Sequence, residues 1–162
     1  MNATNYYNDI ERGKPSEELF QQWATLHNLK IQDVRDDTEY RNKDIDFILT
    51  IRSTRTIDVK KSLDDDEFHI PIQEYKDVET QWLGWFYRSE ADCICFADVP
   101  TRTLVFLSMT PEMKSYYETI KDRFELLRNK PTKKGNRTWQ SAFRVIPMVE
   151  LKQFIVVKSL NR

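Results

Sequence analysis

Glycine is scarce in this chain, with three residues in 162, too few for a glycine-punctuated repeat or a low-complexity segment. Cysteine is almost as rare. The two that occur, Cys93 and Cys95, lie two apart in a strand-like run, where side chains share a face and pair poorly as a disulfide. They read as small, reduced core residues, which suits the cytoplasm. A zinc site would need partners for them, and His27 and His69 stand at no companion spacing. No apolar run is long enough to span a bilayer, and the N-terminus lacks the apolar centre of a signal peptide. The expectation is a soluble cytoplasmic protein with no membrane partner. A surplus of charge is also missing: the net charge of -1 advertises no general affinity for nucleic acid. What remains is 40% hydrophobic and 12% aromatic, enough for one domain with its own core.

The charges are nevertheless unevenly placed. Between residues 121 and 144, Lys121, Arg123, Arg128, Lys130, Lys133, Lys134, Arg137 and Arg144 face only Asp122 and Glu125, a net of +6, whereas residues 33 to 67 are acidic. An acidic metal site beside a basic flank is what phosphodiester chemistry needs, because the flank neutralises phosphates and the acids concentrate a cation. A solvated surface helix followed by a basic loop accounts for the same charges. Within the flank, Lys130, Lys133, Lys134 and Arg137 form the best candidate contact to a DNA backbone.

The chain is organised around residues 44 to 61. Ile45, Phe47, Leu49 and Ile51 alternate with Asp44, Asp46, Ile48 and Thr50, the period-two pattern of a strand buried on one side. After the turn at Arg52-Ser53-Thr54-Arg55, Asp58 and Lys60 share one face while Ile57 and Val59 share the other. Pairing of the two strands brings Asp46 toward Asp58 and Lys60. Two carboxylates and an ammonium inside a sheet are costly as structure alone; a divalent cation gives them another purpose.

Asp46 followed by Asp58-Val59-Lys60 resembles the signature of the PD-(D/E)XK nuclease superfamily, which includes restriction endonucleases, junction resolvases and phage recombination nucleases. The resemblance implies an α/β, restriction-endonuclease-like single domain in which a mixed central sheet is flanked by helices. It implies Mg²⁺, with Mn²⁺ as a substitute, bound by Asp46, Asp58 and the Val59 carbonyl, and Lys60 on the attacking-water side. It further implies a DNA substrate and a homodimer that pairs two active sites. No proline precedes Asp46, and the second acid is Asp where Glu is commoner; being one methylene shorter, it holds the cation closer to its strand. The family often adds an acid from its first helix, and Glu17 is the candidate here, although a plain helix-dipole role suits Glu17 as well.

Elsewhere, residues 1 to 14 carry no apolar period and are expected to be a loose arm, leaving 15–162 as the domain. A helix is expected from Pro15-Ser16, with Ser16 as N-cap, Leu19, Phe20, Trp23, Ala24 and Leu26 on its apolar side and Asn28 closing it. A short strand at 30–35 follows. The acidic run Asp64-Asp65-Asp66-Glu67 reads as a solvated loop or, less simply, a second metal site. Tyr75, Val78 and Trp82 predict a helix over 74–83, and Gln81 to Trp85 is faintly similar to a motif of RecB-like members. Gly84-Trp85 and Ser89-x-Ala91-Asp92 before the apolar strand 93–97 look like small phage and bacterial nucleases of the superfamily. There, Arg88 and Ser89 are expected to contact phosphate, and Trp85 and Tyr87 either stack on bases or pack the sheet. A strand at 102–109, a long helix from Pro111 to about Arg128, a basic loop, a strand at 139–146, a helical turn at 147–153 and a closing strand at 154–157 complete the reading. Non-catalytic binding of nucleic acid, or of protein, on the same fold is the alternative function.

Overall fold

The computed structural model describes residues 4–61, 69–134 and 136–160, with residues 4–12 and Lys134 by backbone alone. Helix α1 (Thr4–Leu26) leads into β1 (Lys30–Asp33), the short α2 (Thr38–Asn42), β2 (Phe47–Thr50) and β3 (Thr54–Lys61). Then come β4 (His69–Asp77), β5 (Trp82–Leu83), α3 (Trp85–Arg88), β6 (Cys93–Asp98), β7 (Thr103–Ser108) and α4 (Pro111–Ile120). The chain ends with β8 (Leu127–Arg128), β9 (Thr132–Lys134), β10 (Arg137–Trp139), β11 (Ala142–Pro147), a 3-10 segment Met148–Phe154 and β12 (Ile155–Ser159). The result is a mixed α/β architecture. Among the described residues no helix is long and apolar enough to cross a membrane. The acidic run at 64–67 lies outside the described residues.

The central sheet has the order β1-β2-β3-β6-β7-β12. Strands β1, β2 and β3 form an antiparallel meander, β3 and β6 run parallel, and the remaining pairs are antiparallel. Alternation along each strand supplies two apolar faces. One carries Phe47, Leu49, Ile57, Val59, Cys95 and Leu104 and is covered by Leu19, Phe20, Trp23 and Ala24 of α1. The other carries Ile94, Phe96, Val105 and Leu107 and packs on Ile70, Ile72, Phe86, Met113, Tyr117 and Ile146. Those last residues come from a second sheet, β5-β4-β11-β8, and from α3 and α4. Asp58 and Lys60 alternate with Ile57 and Val59 and so belong to this second face.

Several expectations need correction. Helix α1 begins at Thr4, so residues 4 to 14 are helical and not a loose arm; Pro15 lies inside the helix and Ser16 is buried in mid-helix where no cap is needed. Leu26 is exposed. The C-terminal end is as expected: Asn28 takes a left-handed φ of 52°, and the Asn28 and Leu29 amides close back on Thr25 and Ala24. Residues 74–77 are strand, because Ile70, Ile72 and Glu74 form one buried row against β11. A charged residue in that row hid its period of two. Helix α4 opens at Pro111 as expected, with Thr110 as its N-cap, yet stops at Ile120. Arg144 takes the Phe124 carbonyl, and Leu127 and Arg128 pair with β11 instead. The basic loop is a hairpin of β9 and β10.

Gly84 is the N-cap of α3, and its amide donates to the Glu74 carbonyl at 2.7 Å. A Cβ there would stand 2.2 Å from the Gln73 carbonyl oxygen. Gly84→Ala is therefore expected to cost about 3 kcal/mol, the upper end for overpacking because backbone must move; urea unfolding measures it.

Candidate functional site

The site grows from the end of β2. Asp46 stands one residue before that strand. Its N–H donates to the Ile57 carbonyl at 2.8 Å, and its Oδ2 accepts the Val59 N–H at 2.7 Å. The carboxylate thus replaces the next rung of the ladder along β3. Because the N–H and C=O of one strand residue leave on the same side, the Val59 carbonyl faces the Asp46 side too. Asp58, one residue earlier on β3, is 1% exposed. Its Oδ1 meets the Lys60 ammonium at 2.7 Å, while Oδ2 is buried and has no hydrogen-bond partner among the described residues.

Burial pushes the Asp58 carboxyl up to about 7, with the negative charges of Asp46 and Asp44 adding and Lys60 opposing. Burial works against the Lys60 ammonium, but Asp58 and Asp46 hold its pKa above the ordinary lysine value. The lysine side chain is about a third exposed and lines a cleft of ≈ 310 Å³ with Gln73, Trp85, Phe96, Asn129 and Phe143. Among the described residues no three His, Cys, Asp or Glu side chains already converge as a metal cage. The oxygens that could hold a cation are those of Asp46 and Asp58, with the Val59 carbonyl beside them.

Glu17 sits well inside α1, so the helix-dipole role fails. It pairs with Arg35, which is itself held by Asp33, Nε to Oδ1 at 2.9 Å, and lies over the Phe47 ring. Burial raises the Glu17 pKa, Arg35 opposes, and the nearby Asp46 charge adds. The first helix thus carries an acid whose electrostatics couple to Asp46.

Arg88 and Ser89 occupy different positions from those expected. Arg88 Nη2 donates to Asp44 Oδ2 at 2.7 Å, which ties α3 to the turn before Asp46. Ser89 is 4% exposed; its hydroxyl accepts from the Ala91 amide at 3.2 Å, so it props the loop and meets no solvent phosphate. Trp85 is buried, and the Tyr87 hydroxyl donates to Glu118 at 2.6 Å, which makes both packing residues. Of the basic flank, Lys121 pairs with Glu118, Arg123 with Glu150 and Arg144 with Glu74. Lys130, Lys133 and Arg137 are exposed on or beside the β9–β10 hairpin, where the Lys134 backbone also lies. Asp44, Arg35 and an exposed Trp82 were not legible as site residues; only the rarity of tryptophan marked the last.

Neither protein-family models, nor characterised proteins, nor solved structures give a match to this chain.

The raised Asp58 carboxyl has a pH signature. The folded state binds its proton more tightly than the unfolded chain, whose value is near 3.8. Its contribution to stability is complete below about 4 and is lost as pH rises through about 7. In metal-free protein, Asp58→Asn should therefore match wild type at pH 4 and exceed it at pH 8, by on the order of 4 kcal/mol. Denaturant melts of the pair at both pH values provide the check.

Proposed function

We propose that this chain is a Mg²⁺-dependent DNA nuclease of the PD-(D/E)XK kind on a restriction-endonuclease-like fold. The observation that carries the reading is Asp58, a carboxylate 1% exposed with one oxygen on Lys60 and the other without a partner among the described residues. An orphaned, buried carboxylate oxygen is costly, and a bound cation offsets that cost by taking it as a ligand. The order of elements supports the same reading: a helix, an antiparallel meander carrying both acids, and a fourth strand parallel to the third. Asp46, Asp58 and the Val59 carbonyl are all hard oxygen donors, the set suited to Mg²⁺ or Mn²⁺.

When bound there, the cation supplies Lewis acidity toward a phosphate oxygen and acidifies the attacking water. Lys60 orients that water and stabilises the negative charge that develops on phosphorus oxygens. Glu17, paired with Arg35, adds negative charge whose influence extends to Asp46 and favours cation entry. On and beside the β9–β10 hairpin, Lys130, Lys133 and Arg137 neutralise the DNA backbone; the Lys134 side chain lies outside the described residues. A homodimer would present two such sites to two strands.

The test is cleavage of supercoiled, linear, single-stranded and branched DNA in Mg²⁺, Mn²⁺ or EDTA. Cutting that needs the cation and disappears in Asp58→Asn supports the reading; no cutting on any substrate removes it. A second reading, a non-catalytic nucleic-acid-binding module, draws on the direct Lys60–Asp58 pair at 2.7 Å, which neutralises the buried acid without a metal. It requires salt-sensitive binding with no turnover.

A further inference from the structure

A second cleft, of ≈ 500 Å³, opens between the ends of the two minor sheets and is lined by Trp82, Trp139, Lys76, Arg137, Thr80 and Thr138, with Asp77 at its base. Its volume lies within the range of small-ligand sites. Trp82 sits on the two-residue edge strand β5 with 51% of its surface exposed. Half an indole left in water gains the fold little, since aromatic surface stabilises by burial. Cations surround it: Lys76 Nζ lies 4.3 Å from the Trp82 ring centroid and the Arg88 guanidinium 5.6 Å.

The two aromatic walls come from different strands, yet one residue fixes both. Asp77 accepts from the Thr80 hydroxyl at 2.8 Å and the Glu79 amide at 3.3 Å, which sets the turn that presents Trp82. The same carboxylate accepts the Gln140 amide at 3.4 Å, and the Val78 amide donates to the Gln140 carbonyl at 2.9 Å; Gln140 directly follows Trp139. Three donors, the Glu79 and Gln140 amides and the Thr80 hydroxyl, engage this carboxylate, so its charge is spread into the scaffold. Trp139 belongs to the same hairpin as Lys133 and Arg137.

The cleft also connects to the carboxylate–lysine site. Arg88, over the Trp82 ring, is ion-paired to Asp44 at 2.7 Å, and the Asp44 charge is felt by both Asp58 and Lys60. Two indoles, with Lys76 and Arg88 over the Trp82 ring and Arg137 in the lining beside Trp139, match one ligand chemistry in particular: flat bases for the rings and phosphates for the cations. A duplex cannot offer it, because its base faces are stacked inside. We infer that the cleft between Trp82 and Trp139 takes unstacked bases of single-stranded DNA, so that the substrate is DNA carrying a single-stranded tail, flap or branch beside the scissile phosphate. This assignment rests on the nuclease reading of Asp46, Asp58 and Lys60.

The experiment is fluorescence anisotropy of a labelled oligo-dT, its RNA counterpart and a blunt hairpin duplex, each with the intact protein in Ca²⁺ or EDTA so that binding is read without cleavage. Trp82→Ala and Trp139→Ala should each weaken oligo-dT binding about tenfold or more and leave the duplex within about twofold, by the same stacking argument. Trp82→Phe and Trp139→Phe, which keep a ring, should recover most of the loss, and thermal melts of all four confirm folding. Unchanged oligo-dT binding, or equal losses on oligo-dT and duplex, overturns the cleft; tighter binding of the RNA overturns the assignment to DNA. Metal-dependent cleavage with tryptophan-independent binding refutes the cleft alone. Tryptophan-dependent binding by a protein that cuts nothing upholds the cleft and refutes the catalytic reading alone.

Discussion

Asp58→Asn is expected to reduce Mg²⁺-supported DNA cleavage by about 10³-fold or more, the scale of losing a principal electrostatic element of a site, without lowering the stability of the metal-free protein. The two halves of this expectation share one cause. In the absence of a cation the buried carboxylate lacks a partner for Oδ2 and has only Lys60 on Oδ1, so an amide in its place removes a desolvated charge and still accepts from lysine. In the presence of the cation the same substitution removes a charged ligand. Mg²⁺ should therefore raise the melting temperature of the wild type and not that of Asp58→Asn, because a ligand that binds only the folded state stabilises it. Lys60→Ala separates the roles further. Cleavage should fall about 10²-fold, the scale of a positioned proton-transfer or charge-stabilising group, while the cation continues to stabilise the fold. Cleavage assays and thermal melts with and without Mg²⁺, run on the three proteins, decide it. Full activity in Asp58→Asn would remove the proposed site.

The part of this site that could be read from the sequence is the part written in strand periodicity. Ile57 and Val59 against Asp58 and Lys60 is a two-residue alternation, and the structure places the first pair in one core and the second on the opposite face. The apolar side of α1 and its closure at Asn28 were legible for the same reason, since spacing and a left-handed residue are local signals. Long-range partners were not. Glu74 disguised β4 as something other than a strand because its charge is satisfied by Tyr117 and Arg144, 43 and 70 positions away. Likewise, two of the eight basic residues of the flank are taken by acids distant in sequence, Arg123 by Glu150 and Arg144 by Glu74. Exposure was equally hidden: Trp85 and Tyr87 were the aromatic candidates for stacking, and the fold buries the first, occupies the second and leaves Trp82 in water.

Glu74 offers the opposite case to Asp58, and replacing it should do the opposite. It is 3% exposed, and its Oε1 accepts from the Tyr117 hydroxyl at 2.6 Å and from Arg144 Nε at 2.8 Å. Arg144 is itself only 13% exposed along its side chain and also reaches the Phe124 carbonyl. The network clamps β4, β11, α4 and the segment after α4 at one point. Glu74→Ala leaves a part-buried guanidinium with only the exposed Asp122 as carboxylate partner, at 3.4 Å, and a buried phenol without its acceptor. The expected loss is about 3–5 kcal/mol, the usual consequence of breaking a buried pair from one side. For a chain of this size that corresponds to a fall in melting temperature of about 10 °C or more. Tyr117→Phe, which removes one hydrogen bond and leaves the ion pair, should cost only about 1–2 kcal/mol. Below the new melting point, cleavage per folded molecule should stay close to wild type, because Glu74 belongs to the packing between the sheets and not to the Asp46–Asp58–Lys60 cluster. Calorimetry and activity at 15 °C on the same samples make the comparison. A buried acid whose oxygens are partnered governs folding; one with an oxygen left over governs what the folded chain can bind.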